Sequence, residues 1–520
     1  MQNLEDKNRR VVPRWRPFRI AAKLQTLDSI GTANQLEPKP EEVEHLLRDW
    51  RLNRTPFHAA NVIDAAVVLN RPEIGLDAAQ FIFKNFSEGT VESDLARQVL
   101  NGVAEIPLPS TPPEIGQKER RTRIAAYRRS LREQPRNPIL LVDLAREYSA
   151  LGQLKPAEKA LLKAVKLAPS NRFVLRSASR FWLHIGKPEQ AHRVLRQAPN
   201  LQKDPWLLAA EIVAAGASQR TSRWTKTAIE MVSAGRLDPR HTTELAGALG
   251  TLAYEEGRNS DVRRLFQHAL IQPTENTVAQ AGWISRHIPS FEVPESKLSV
   301  PLAFEARAWD AVEGRRFTEA MSLSREWLLD EPFGTRAAML GSSVAALALG
   351  DCETALDFVR TAIVANPEDP GLLLQLIYCL ACDGDLDDAE RLLMQVLPIA
   401  VKRHPDAIPT PHLPIFIEAD SGLIAYRRRQ VEKGRTHYRR AIELARDARA
   451  QSLEAAAFLN FLREEAAVSP QTSMPWSEAE QLLKAFPATV RGFYEAFLQR
   501  SRQTHAVALK VGPIYLGHSG

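Results

Sequence analysis

The feature that most constrains this chain is a repeat of 34 residues. Gly350 and Gly384 are 34 apart, and so are Ala355 and Ala389. The same residue types recur at the same offsets around them. The stretch from Pro138 carries Leu141, Leu144, Ala145, Tyr148, Gly152, Ala157, Leu161, Ala164 and Pro169. The stretch from Arg336 carries Met339, Ser342, Ser343, Ala346, Gly350, Ala355, Val359, Ala362 and Pro367. The stretch from Pro370 carries Leu373, Leu376, Ile377, Leu380, Gly384, Ala389, Leu393 and Val396. A fourth begins at Arg172 with Leu175, Ala178, Ser179, Trp182, Gly186, Ala191 and Leu195, and its second half is cut short at Pro199. Apolar positions near period 3.6 on either side of the glycine predict two helices joined by a tight turn. Small residues at fixed places let the two helices approach closely, and the closing proline ends the second. One such pair cannot bury its apolar face alone, so neighbouring pairs must stack.

This spacing resembles the tetratricopeptide repeat family. The resemblance spans roughly residues 104–465, with degenerate stretches, and leaves out the first hundred residues and the last fifty. It implies an all-α chain, an α-solenoid of helix-turn-helix units wound as a right-handed superhelix, in two arrays. The expected organisation is a basic irregular arm at 1–35, a helical region at 36–103, a first array at 104–286, a proline-rich linker at 287–301, a second array at 302–468, and a C-terminal helical piece and tail at 469–520. The last ten residues, VGPIYLGHSG, read as a poorly ordered end.

Composition fits such a fold. The chain has 520 residues, 44% hydrophobic and 25% charged, so a folded interior is expected; aromatics at 7% favour helix over sheet. Three cysteines argue against a secreted disulfide framework. The N-terminus lacks the apolar core of a signal peptide, and AAMLGSSVAALALG (337–350) is too short to span a bilayer. A cytoplasmic location and no membrane contact are the expectation. A net charge of +6 permits contact with nucleic acid or acidic protein without requiring it.

Chemical motifs are sparse. DGDLDDAE (383–390) alternates carboxylates as a calcium loop does, but Asp388 and Met394 stand where the loop needs Gly and Glu. Its acids read instead as the first turn of a helix. Cys379 and Cys382 form a CxxC without the second pair a zinc site needs. No phosphate-binding, metalloprotease or nucleophile-elbow motif occurs. No enzyme activity, cofactor, metal site or catalytic residue is therefore expected.

By the resemblance, positions 2, 5, 9, 12 and 13 of each first helix face the concave groove. The residues expected to meet a partner are Arg146, Phe173, Arg176, Arg180 and His184 in the first array, and Leu340, Val344, Leu374 and Tyr378 in the second. The first groove thus reads as basic, suited to an acidic segment, and the second as apolar, suited to an amphipathic helix. The alternative is that these surfaces meet the chain's own arm or tail. The leading expectation is a scaffold or adaptor that recruits a partner protein. A second is a nucleic-acid-associated regulator. It would use Arg9, Arg10, Arg14, Trp15, Arg16 and Arg19 of the arm, with Arg120, Arg121 and Arg123 of the basic stretch 118–136. A third is a regulatory subunit of an enzyme whose active site is on the partner. Oligomeric state and partner identity have no sequence signal.

Overall fold

The structure, a computed structural model, describes residues 9–16, 40–68, 71–85, 96–97, 99–102, 114–235, 237, 239–288, 290–403 and 412–516. Among these are 24 α-helices and no β-strand, and the fold is the expected all-α solenoid of repeated helix pairs. Two compact units divide between Ala303 and Phe304. None of the described helices is long and apolar enough to cross a membrane.

Short polar residues decide where the helices begin. Asn137 accepts hydrogen bonds from the backbone N–H groups of Ile139 and Leu140, with Pro138 next to it at the first helical position. Asn171, Asp204, Thr274, Asp351 and Asp369 cap later helices in the same way. Each satisfies donors that a helix start leaves open. The turn glycines also behave as the spacing requires. Gly350 and Gly384 sit at φ 77° and 100°, a region costly for any residue with a Cβ. Ala157, Ala191, Ala355 and Ala389, at the equivalent place of each second helix, are fully buried, where a larger side chain would push the pair apart.

The first unit opens with α1 (Pro40–Leu52), α2 (Pro56–Val68) and α3 (Leu76–Asn85), built on a small core of their own that includes Trp50, Ile63 and Ile82. There follow α4 (Gln117–Glu133), α5 (Pro138–Ala150), α6 (Leu154–Leu167), α7 (Arg172–His184), α8 (Pro188–Arg196), α9 (Pro205–Ala217), α10 (Thr225–Ser233), α11 (Pro239–Glu255), α12 (Asn259–Ala269) and α13 (Glu275–His287). A short 3-10 turn, Glu295–Ser299, lies within the proline-rich stretch.

The second unit comprises α14 (Phe304–Glu313), α15 (Phe317–Asp330), α16 (Thr335–Ser343), α17 (Cys352–Ile363), α18 (Pro370–Asp383), α19 (Leu386–Arg403), α20 (Leu413–Arg427), α21 (Val431–Asp447), α22 (Gln451–Val468), α23 (Trp476–Leu482) and α24 (Ala488–Val511). Helix α16 runs on as a π-turn, Val344–Leu349. The guanidinium of Arg500, on α24, donates to the carbonyls of Leu347 and Ala348 at that turn, and Phe493 meets Phe317 at 5.8 Å. The chain end is packed as far as it is described. The Ile514 N–H donates to the Ala467 carbonyl at 2.9 Å, and Arg429 lies over the Tyr515 ring.

Candidate functional site

In the first unit, residues 9–16 (RRVVPRWR) lie as an extended strand-like segment against α5, α7, α9, α11 and α13. Burial alternates strictly: Arg9, Val11, Pro13 and Trp15 are buried, while Arg10, Val12, Arg14 and Arg16 are half-buried. That period of two is what a fully extended chain produces. Trp15 is completely buried and meets Phe181 of α7 edge-on at 6.1 Å. Its carbonyl accepts from Arg146 Nε of α5 at 3.0 Å. Val11 lies over Gly247 of α11, where an added Cβ would come within 3.1 Å of its methyl. Arg10 passes Gly216 of α9 and pairs with Glu255 of α11 at 2.9 Å.

Helix α13 holds the backbone of the same segment. Gln280 Nε2 donates to the Arg9 carbonyl and Asn276 Nδ2 to the Val12 carbonyl, both at 2.8 Å. The Arg9 side chain donates back to Asn276 Oδ1 and Gln280 Oε1. Arg16 closes the run with an ion pair to Glu275 at 2.6 Å. Backbone carbonyls held by side-chain amides, with alternate side chains in pockets, is the chemistry of extended-peptide recognition.

This arrangement changes the reading of the groove residues. The groove is not simply basic. Arg176 pairs with Glu244 of α11 at 2.6 Å and lies 4.8 Å from the Trp206 ring, so its charge is already met. Arg146 is buried beside Glu147 and engaged with the arm. Glu244, Glu255 and Glu275 add three acids on the same helices. The expected fit to an acidic segment came from α5 and α7 alone, and those acids sit on α11 and α13. Phe173, Arg180 and His184 are half-buried on α7. A signal for the missed residues did exist. Gly152 lies fourteen residues after Pro138, and counting fourteen back from Gly257 puts Thr243 at position 1. Groove positions 2, 5, 9 and 13 are then Glu244, Gly247, Thr251 and Glu255.

The residues read as candidates for nucleic acid are scattered in the structure. Arg9 and Trp15 are buried in the groove, so base stacking on Trp15 needs the arm withdrawn. Arg120 is buried against Glu147 at 2.8 Å, Arg123 pairs with Glu119, and Arg121 is exposed. Arg19 lies outside the described residues.

The second unit has a cavity of about 120 Å3, walled mainly by α18, α20 and α22. Leu374 and Tyr378 line it, together with Ile415, Phe416, Leu423, Tyr438 and Tyr494. Leu340 and Val344 do not: both are completely buried in helix-helix packing and present no surface. Asp420 and His412 are also in the lining. Burial pushes the Asp420 carboxyl well above the ordinary carboxylate range and pulls the His412 imidazole below its usual value, because each charged form loses water.

Of the two cysteines in the CxxC, Cys379 is sealed in the core, and the neighbour of Cys382 is Cys352 at the start of α17. Arg463 also reaches Cys382 Sγ, at 3.9 Å. In DGDLDDAE, Gly384 makes the turn, Asp385 Oδ1 accepts from the Asp388 N–H at the start of α19, and Asp387 pairs with Arg428.

Comparisons with known proteins complete the picture. The family model for the tetratricopeptide repeat matches residues 140–171. No curated protein matches the chain. Among solved structures, yeast Tom70 is 13% identical with a TM-score of 0.30, covering 75% of this chain and 94% of that one. The structure of Naa15/Naa10 bound to HypK-THB is 12% identical with a TM-score of 0.21, covering 94% of this chain and 79% of that one.

Proposed function

We propose that this chain, whose residues 140–171 match the tetratricopeptide repeat, works as a non-catalytic scaffold whose first groove reads an extended basic-aromatic peptide. In the form described, residues 9–16 occupy that groove in cis. The observation that carries the reading is the seating of this arm. Eight consecutive residues meet five inner helices through a tryptophan anchor, two amide–backbone clamps and two Arg–Glu pairs. A partner segment of like chemistry would compete with the arm for the same contacts. The arm would then set the threshold for recruitment, because a tethered ligand acts at a high effective concentration.

The test is direct. Remove residues 1–16, verify helicity by circular dichroism, and titrate the free peptide RRVVPRWR by calorimetry. The expected result is micromolar binding to the truncated chain, at least about tenfold weaker binding to the full chain, and at least about tenfold loss when the tryptophan of the peptide becomes alanine. Absence of binding to a folded truncated chain would make the arm a fixed part of the fold and end this reading.

A further inference from the structure

The positive charge of this chain collects in one part of the first unit. Residues 117–203 hold twenty Lys or Arg against six Asp or Glu, a net +14. The whole chain is +6, so the remainder is net −8. The inner helices of this stretch turn their arginines inward: Arg146 to the arm, Arg172 to Asp204 and Arg176 to Glu244. The second helix of the pair, α6, does the opposite. Its Lys155, Lys159, Lys163 and Lys166 are exposed. They stand four, four and three residues apart, which sets them on one helix face along about 16 Å. Together with Glu158 and Leu162 they line one shallow groove of about 430 Å3. Glu158 is the one acid in that lining, and it is already engaged. Lys187, just before α8, donates to its two oxygens at 2.9 and 3.1 Å, and Trp182 Nε1 donates at 3.2 Å. None of the four lysines forms an ion pair among the described residues. Like charges four apart on a helix repel, so the row works against the fold that carries it.

We propose that this outer face binds the phosphate backbone of double-stranded nucleic acid without reading its sequence. A row of lysine point charges suits a polymer that presents a negative charge at every repeat. Exposed Arg128, Arg129 and Arg132 on α4, and Arg193 and Arg196 on α8, extend the positive field over the preceding and following outer helices. The face lacks what other anionic partners call for. No aromatic ring within residues 117–203 is exposed to stack an unpaired base. Leu162 is the single large apolar side chain exposed there, whereas a helix that lies on a membrane carries a row of them. Carboxylates of an acidic protein segment are matched in pairs by arginine forks, and this groove is lined by lysine. The surface is separate from the groove that holds the arm, so either reading can fail alone.

The experiment measures fluorescence anisotropy of a labelled mixed-sequence DNA duplex of about 24 base pairs with the full chain, as salt rises from about 50 to 200 mM. Micromolar binding at the lowest salt is expected, weakening steeply as salt rises. One variant carries Lys155→Gln, Lys159→Gln, Lys163→Gln and Lys166→Gln. It should bind at least about tenfold more weakly, and its slope of log affinity against log salt should be shallower by about 3 to 4, because each phosphate contact contributes about 0.9. The control carries Lys433→Gln, Arg439→Gln, Arg440→Gln and Lys510→Gln, four exposed cations of the second unit. It removes the same charge and should stay within about twofold of the parent. Circular dichroism checks that both variants keep their helices, as glutamine is a good helix former. Equal weakening in the two variants would mean that net charge alone attracts the duplex, and the proposal falls. It falls also if the parent does not bind at the lowest salt, or if vesicles of equimolar phosphatidylcholine and phosphatidylserine, or polyglutamate, bind more tightly than the duplex. Binding that survives the four α6 changes and is lost on removal of residues 1–16 would assign the nucleic acid to the arm and overturn the outer face.

Discussion

At the scale of single residues, Asp420 carries a cost that depends on pH. Burial raises its folded pKa above the value in the unfolded chain. A group shifted in that direction contributes stability that is fully present below the unfolded pKa and lost as pH rises through the folded one. Asn at this position is neutral at every pH. Asp420→Asn should therefore melt above the parent chain at pH 8, and the gain should vanish at pH 4; a constant difference across the range, read by calorimetric melting, would contradict the burial argument. Cys382 makes a different point. CxxC spacing directs attention to Cys379, three residues away, yet the fold brings Cys382 to Cys352, thirty residues back. Treatment with diamide, which takes two electrons and two protons from a thiol pair, is expected to link Cys352 with Cys382. Peptide mapping that recovered Cys379–Cys382 instead would count against the structure. Neither Asp420 nor this thiol pair was legible in the sequence, because what matters about each is its surroundings, set by tertiary packing. Leu374 and Tyr378, read as partner-facing groove residues, line the cavity of the second unit. The same counting misplaced Leu340 and Val344 as surface residues, where α16 widens into its π-turn and both are sealed.

At the scale of elements, the end of α16 shows how a turn legible from spacing acquires a partner that spacing cannot reveal. The π-turn leaves carbonyls aimed outward, and the guanidinium of Arg500, some 150 residues away, caps them. A cation at a helix C-terminus is favourable, and buried carbonyls without a donor are costly. Gly350 stands between the two. Its φ is 77°, and a Cβ there would come within 2.9 Å of Arg500 Nε. Gly350→Ala is expected to cost about 1–3 kcal/mol, combining left-handed strain with displacement of the cap. Arg500→Met should cost about 1–3 kcal/mol through the orphaned carbonyls. Urea melts of both singles and the double should show less than the sum, because both remove one cap. Full additivity would mean that the glycine and the arginine act independently. The helix pairs themselves were readable because each is specified locally, by a cap, a glycine and a 3.6-residue period. The position of α24 was not, since besides the nearby α22 it meets α14 and the π-turn, far away in sequence.

At the scale of the whole molecule, the arm alters how the first unit can come apart. In a solenoid each pair of helices touches only its neighbours, so stability spreads by short links and the ends can fray separately. Residues 9–16 break that pattern. They join Arg146 on α5 to Gln280 on α13, across sequence separations of 131 and 271 residues from the arm. The repeat period foretold α5 and α7 but not what bridges them to α13, because an irregular basic segment has no periodicity to read. Its seating is decided by Phe181 on α7, by the Asn276 and Gln280 amides and by Glu255 and Glu275 on α11 and α13, where the repeat is most degenerate. Such a strap should make the inner helices open together. Hydrogen exchange of the full chain in rising urea is expected to expose residues 138–287 as one cooperative block. Deletion of residues 1–16, or Trp15→Ala, should split that block, with α12 and α13 opening at lower urea than α5 and α6. The reason is that the terminal pair then has one neighbour and no strap. If the block opens at a single urea concentration with and without the arm, nearest-neighbour packing alone carries the cooperativity, and the arm is a ligand of the groove with no share in holding it together.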